Sequence, residues 1–317
     1  MKEFLNKIVC GDCVEILGGI AEPFADLIFA DPPFNIGYKY DKYKDKVKKD
    51  NYIGWTREWM LACKKVLKPA GSFYIAIGDE YAANVKIIAD EIGLYMRNWL
   101  IWHYTFGQQT KDKFARSHTH IFYFVNDSKK FTFNDWAMRV PSDRQLLYND
   151  KRANPAGKMP NDVWDDFSRV CGTFKERQGW HPCQMPENLL KRIIIASSNR
   201  GDCVLDPFSG SGTTAAAAGQ LGRTYVGIEI SEEYAENATR RLAELKNHIP
   251  LKLFMDKNEM DEIRRLSADM GKPLKEIAAD KDLLRLFTNQ VSVRLNSQRK
   301  YNTQEVLSAI KDLTGSY

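Results

Sequence analysis

The chain has 317 residues, 44% hydrophobic and 27% charged, ample for a buried core and incompatible with disorder as the main state. Its aliphatic runs are far too short to span a bilayer, and the start, MKEFLNKIVCGD, has no secretory core, so the sequence reads as a cytoplasmic protein with no membrane partner. The net charge of +5 is concentrated: Lys39 to Asp50 holds six lysines against three aspartates, and Lys129 to Lys158 seven basic residues against three acidic ones. Both stretches suit a polyanion. Of six cysteines only Cys10 and Cys13 form a CxxC pair, with no second pair or histidine at ligand spacing, so no metal is expected.

In chain order, Asp26 to Ala30 and Ser72 to Ile77 are apolar runs of strand length, as a sheet covered on both faces requires. Between them Trp55, Trp59, Ala62, Cys63 and Val66 recur at helical spacing, and Pro69 and Gly71 are expected to end that helix. A helix over Val85 to Ile92 follows, then strands at Trp99 to Trp102 and Ile121 to Val125. The segment from about Phe131 to Phe174 breaks the rhythm, being polar, basic and aromatic without a clean period. Alternation resumes with a helix around Leu189 to Ile194, a strand at Cys203 to Leu205, a helix at Thr213 to Leu221, a strand at Thr224 to Ile228 and a helix from Ser231. After Pro250 the chain is helix-rich, with no strand signal. The fold class is therefore α/β: a doubly wound sheet with an inserted recognition segment and a small helical C-terminal extension, whose ligands should lie at the carboxyl ends of the strands.

Two loops follow predicted strands directly. In Asp206-Pro207-Phe208-Ser209-Gly210-Ser211-Gly212-Thr213-Thr214 the glycines allow a tight strand-to-helix turn and a close approach of backbone to ligand. Glu229, nineteen residues past Gly210 and at the end of the next strand, is placed to accept hydrogen bonds from ribose hydroxyls. These features imply an adenosine-containing cofactor, with NAD still open. The earlier loop, Asp31-Pro32-Pro33-Phe34-Asn35, is more specific. Its prolines fix the backbone and remove two donors, so a carboxylate and a carbonyl side by side can accept from one NH2 group, while an aromatic ring two residues on can stack on a planar base.

These loops resemble those of the amino-group DNA methyltransferases that use S-adenosyl-L-methionine. DPPF is similar to their catalytic motif and DPFSGSGTT to their cofactor motif, and the order, catalytic loop first, is that of the β group. Gly11-Asp12-Cys13 and His181-Pro182-Cys183-Gln184-Met185-Pro186-Glu187-Asn188-Leu189-Leu190 agree as well, so the resemblance covers about Lys7 to Leu245 outside the recognition segment. It implies a Rossmann-like methyltransferase sheet divided into a catalytic half (1–130), a target recognition segment (131–175) and a cofactor half (176–249), followed by an accessory domain (250–317).

By the same resemblance, Asp31 and the Pro32 carbonyl, within the catalytic set Asp31, Pro32, Pro33 and Phe34, hold the target amino group, and Phe34 stacks on a flipped base. Asp31, Asp206, Phe208, Gly210, Ser211, Gly212 and Thr213 surround the methionine end of the cofactor. Glu229 binds the ribose, and Asp12 with Cys13 lies against the adenine. Where the family often has lysine this chain has Met185, and Lys191 or Arg192 is the expected substitute for a contact to the cofactor carboxylate. Asp as the first residue of the loop favours adenine N6 over cytosine N4 as acceptor, and the intact DPPF and glycine loops argue against the other alternative, a catalytically silent DNA-binding protein of the same fold. Double-stranded DNA is the implied partner, contacted by Lys39, Lys46, Lys48 and Lys49 after the catalytic loop and by Arg139, Arg144, Lys151 and Arg152 in the recognition segment, with Gln145, Asn149 and Asn154 beside them. A homodimer and a cognate restriction endonuclease remain open as partners. A rival reading takes Pro182-Cys183-Gln184 as the nucleophile motif of carbon-5 cytosine methyltransferases, but there the cofactor loop precedes the cysteine, and DPPF would have no purpose.

Overall fold

The computed structural model describes residues 3–38, 41–43, 45–108, 110–140, 157–172, 176–247, 257–295 and 301–314, with 142, 144, 148, 150, 152, 154, 174 and 255. They fall into two compact units, Met1–Phe133 with Asn161–Asn247 and Asn134–Pro160 with His248–Tyr317. The expected recognition segment, 131–175, is thus divided between the units, and its middle groups with the C-terminal helices.

The first unit is built on eight strands: β1 (Lys7–Cys10), β2 (Ala25–Ala30), β3 (Leu67–Ile77), β4 (Tyr95–Gln108), β5 (Arg116–Val125), β6 (Val163–Trp164), β7 (Cys203–Asp206) and β8 (Thr224–Glu229). Their order across the sheet is β1-β8-β7-β2-β3-β5-β4-β6. All neighbours are parallel except β5, which runs antiparallel to both β3 and β4. Alternation along each strand divides the core. Ile28, Ala30, Phe73, Ile75 and Ile77 pack with Trp59, Cys63 and Val85 of α2 (Lys49–Val66) and α3 (Asp79–Glu91). On the other face, Leu27, Phe29, Tyr74 and Ala76 pack with α5 (Glu187–Ser197) and α6 (Thr213–Gln220) through Leu189, Ile193, Ala216 and Ala217. The expected doubly wound sheet is therefore present, with one reversed strand.

α2 ends at Val66, the last residue of the expected helical spacing, and Pro69 and Gly71 follow it in the first residues of β3, which starts at Leu67. Pairing of β2 with β3 is irregular there, shifting register between Ala25 and Leu27, and Pro69 falls where no ladder donor is needed. The short α1 (Cys13–Gly18) is capped by Asp12, whose Oδ1 accepts from the amides of Val14 and Glu15 at 2.7 and 3.2 Å. The unit closes with α7 (Glu232–Asn247).

The second unit contains α4 (Asp135–Met138), α8 (Lys257–Met270), α9 (Leu274–Ala279), α10 (Lys281–Arg294) and α11 (Thr303–Thr314). It has its own core, formed by Ile263, Leu266, Ile277, Phe287, Val291, Val306 and Ile310, and α4 packs against α10.

Candidate active site

Parallel strands place their carboxyl ends on one edge, and five of them deliver the predicted residues there. Gly11 and Asp12 follow β1, Asp31 follows β2, Gly78 follows β3, Asp206 ends β7 and Glu229 ends β8. Together with Pro32, Phe34, Cys13, Phe208, Gly210, Ser211 and Thr213 they line one cavity of about 380 Å3, within the range of small-molecule sites. Of the predicted catalytic and cofactor residues only Gly212 does not line it. Gly212 has φ 72°, and a Cβ there would lie 3.0 Å from that of Ala238, so it fits the loop against α7.

The cofactor half is preorganised by its own hydrogen bonds. Glu229 accepts from Gly210 N at 2.7 Å through one oxygen and from Ser231 N at 2.9 Å through the other, and burial raises its pKa. Gly210 adopts φ 47°, and a Cβ there would approach the His181 ring to 2.8 Å. Burial lowers the His181 pKa to about 4, so its imidazole is neutral. Arg241, buried behind the loop, donates to Ser211 O at 2.8 Å and Thr213 Oγ1 at 3.0 Å. Phe208 lies against Trp55 and Trp59, with ring centroids 5.6 and 5.2 Å apart, giving the cavity an aromatic wall. A planar adenosine beside an acceptor carboxylate suits that wall, so the residues present fit an adenosine-containing cofactor.

The expected substitutes for a lysine at Met185 do not reach the site. Lys191 pairs with Glu187 at 2.7 Å, while Arg192 pairs with Asp166 and lies over the rings of Trp164 and Phe167 at 5.2 and 4.2 Å. Neither lines the cavity, because their helical positions turn them away from Met185, which does.

On the catalytic side, Pro32 and Pro33 both line the cavity, and the Pro33 carbonyl accepts from Tyr52 Oη at 2.6 Å. Phe34 covers Gly78, where a Cβ would come within 3.3 Å of its ring. Burial, and secondly the charge of Asp206, raises the pKa of Asp31 to about 7, with Arg169 opposing. Burial likewise raises Asp206 to about 7, against hydrogen bonds from Thr214 and the Phe208 amide.

Sequence reasoning missed the anchor of the catalytic loop. Asp45, buried within the lysine run, accepts from the amides of Asn35, Ile36 and Tyr38 at 2.6, 3.2 and 2.8 Å. This stabilises Asn35 at φ 58°, and the Asn35 side chain donates to Tyr81 Oη at 2.8 Å. Asp41 accepts from Ser231 Oγ at 2.7 Å, fastening the same run beside Glu229. An acidic residue in a basic stretch was the available signal. Arg169, its guanidinium 5.1 Å from the Tyr104 ring centroid, and Lys42 also line the cavity without having been foreseen.

Among the predicted DNA contacts, Lys46, Lys48 and Lys49 are exposed near this loop. In the second unit Arg139 is partly engaged, bonding Asp135 and Gly157 O, while the Arg144 and Arg152 side chains are 62% and 82% exposed and both meet Asp150. Asn154 belongs to the same unit. Lys39, Lys151, Gln145 and Asn149 lie outside the described residues. No group of three metal-ligating side chains occurs among the described residues, and no helix there is long and apolar enough to cross a membrane.

With this geometry in hand, comparison with known proteins is decisive. The family described as DNA methylase, covering N6 and N4 enzymes, matches residues 25–240. The chain belongs to this family. As a DNA methyltransferase it is 39% identical over 238 residues to the type II methyltransferase M.HpaI of Haemophilus parainfluenzae, covering 75% of this chain and 74% of that one. It is 40% identical over 247 residues to the DNA adenine methyltransferase YhdJ of Escherichia coli K12, covering 75% and 82%. Among solved structures, the following share the methyltransferase's fold. M1.HpyAVI in complex with SAM has a TM-score of 0.53 at 23% identity, covering 74% of this chain and 98% of that one. The cytosine-N4-specific PvuII DNA methyltransferase has a TM-score of 0.57 at 18% identity, covering 77% and 94%.

Proposed function

We propose that this methyltransferase methylates N6 of adenine at a short DNA sequence, with S-adenosyl-L-methionine as donor. The observation that carries the reading is one cavity shared by Asp31 and Pro32 on the catalytic side and by Phe208, Gly210 and Glu229 on the cofactor side. When bound, the donor would supply an electrophilic methyl group, its methyl–sulfur bond breaking to leave a neutral thioether. Glu229 is oriented to hold its ribose, Asp12 and Cys13 lie at its adenine, and Phe208 with the backbone of the Gly210 loop holds its methionine end.

The target nucleotide must leave the duplex to reach Asp31, at a cost of a few kcal/mol. Stacking on Phe34, worth about 1 to 3 kcal/mol, offsets much of that. The amino group then donates to the Asp31 carboxylate and the Pro32 carbonyl, which orients the nitrogen lone pair for attack. As the new N–C bond forms, the nitrogen loses a proton, and the Asp31 carboxylate, with its raised proton affinity, is placed to take it. Positioning and electrostatics carry the step without a covalent enzyme intermediate.

Adenine as acceptor is supported by Asp31 at the head of the loop and by the name of YhdJ. The type II relatives support a place in restriction-modification beside a cognate endonuclease, in the cytoplasm. A homodimer belongs to the same proposal, and sedimentation would test it.

The deciding experiment incubates the protein with unmethylated DNA and S-adenosyl-L-methionine and identifies modified nucleosides by mass spectrometry. N6-methyladenine is expected, absent with Asp31→Ala and retained with Cys183→Ser. N4-methylcytosine would correct the base, and loss of activity in Cys183→Ser would revive the carbon-5 mechanism.

A further inference from the structure

The β4–β5 hairpin carries a side chain that the fold does not use. Phe114 is 101% exposed, so none of the described residues covers its ring. Lys111 and Lys113 precede it and are exposed as well. A bare phenyl ring between cations makes a poor free surface but a good contact for nucleic acid, whose bases offer flat apolar faces between phosphates.

Topology puts this ring on the edge of the sheet that carries the active site. β5 runs antiparallel to β3, with His120 level with Ile77 at the end of β3. Since β3 and β2 are parallel, the turn between β4 and β5 lies on the edge of the sheet that carries Asp31. β5 begins at Arg116, four residues before His120. At about 3.3 Å per residue the hairpin therefore projects about 13 Å past that edge. Its stem is a wall of the cavity, through Trp102, Tyr104, Arg116, His118 and Thr119, and Phe114 sits just beyond the wall.

The stem also has a defined direction. Pairing of β4 with β5 shifts register between His103 and Gln108, and a Cβ at Gly107 would fall 1.8 Å from the Arg116 carbonyl oxygen, so only glycine permits this approach. Arg116 is held by Asp79 at 2.7 Å, and the Thr110 hydroxyl closes the tip onto the Lys113 carbonyl.

We propose that Phe114 is a wedge that enters the DNA stack and fills the place vacated by the flipped adenine, with Lys111 and Lys113 on the adjoining phosphates. The inference rests on the DNA adenine reading above. A base leaving the duplex opens a gap one base step thick, about 3.4 Å, which a phenyl ring fills while stacking on both neighbours. Phe114 is thus a positioning residue: it touches neither cofactor nor reacting atoms, and it acts by holding the target extrahelical beside Asp31.

The test uses full-length protein, wild type, Phe114→Ala and Phe114→Trp, on two duplexes containing the methylated site. In one the target adenine is paired; in the other it faces an abasic site, so less disruption is needed to release it. Wild-type methylation of the paired duplex tests the functional reading independently. For Phe114→Ala the expected kcat/KM on the paired duplex is roughly 5- to 140-fold lower, the loss of one base–aromatic stack. On the abasic duplex it returns to near wild type, and Phe114→Trp stays active on both. With 2-aminopurine at the target, the fluorescence rise on binding should shrink for Phe114→Ala while cofactor affinity and Tm stay unchanged. An equal loss on both duplexes would make Phe114 a general DNA contact, and no loss on either would make it a bystander; both outcomes overturn the wedge.

Discussion

Asp31 and Asp206 face one cavity from the ends of neighbouring strands, and burial raises both to a pKa of about 7. A raised carboxyl pKa means the group is protonated, and hence unable to accept from an amino group through both oxygens, below that value. The kcat/KM of the methyltransferase should therefore fall with an acidic limb near pH 7, well above the ordinary aspartate range. Because the Asp206 charge is the second cause of the Asp31 shift, Asp206→Asn should move that limb to lower pH, whatever it does to the maximal rate. A limb that stays in place would mean that Asp31 does not govern the profile. At this scale the sequence was most informative, since Asp31, Pro32, Phe208, Gly210 and Glu229 lie in short motifs and all five line one cavity. Asp45 was not legible, because its value comes from three amides seven to ten residues earlier that only the folded loop brings to it.

The strand ends and the lysine run belong to the scale of elements. Apolar runs of strand length identified β2 and β3, and helical spacing identified α2, because burial on one or both faces leaves a period in the sequence. The end of α2 was legible too, since the helical spacing stops at Val66 and Pro69 follows, tolerated at the irregular start of β3. Lys48 and Lys49 occupy the N-cap and first position of α2, and Lys48 makes no side-chain cap bond. Cations are unfavourable at a helix N-terminus, so their presence there opposes local stability and points to an external anion. Reversal of Lys46, Lys48 and Lys49 to glutamate should accordingly raise Tm slightly while weakening DNA binding. If all three meet phosphates, the salt slope of binding should drop by roughly 2.7, at about 0.9 per contact. An unchanged slope would place these lysines off the DNA.

For the whole molecule, the division into units is what the sequence concealed. The helical character of the chain after Pro250 was visible from spacing, yet its grouping with residues 134–160 was not, because contacts between segments more than a hundred residues apart leave no local period. The packing of α4 against α10 makes the C-terminal helices a support for residues 134–160, the part of the proposed recognition segment whose Arg144 and Arg152 side chains are exposed. Phe287, fully buried on α10, belongs to a core formed entirely by the second unit. Its truncation in Phe287→Ala should cost that unit about 3 to 5 kcal/mol. Since every predicted cofactor residue lies in the first unit, S-adenosyl-L-methionine affinity measured by calorimetry should change by no more than about twofold, while preference for the target sequence over random DNA is lost. If cofactor affinity collapses together with specificity, the C-terminal helices support the catalytic unit as well, and their role as a separate recognition scaffold fails.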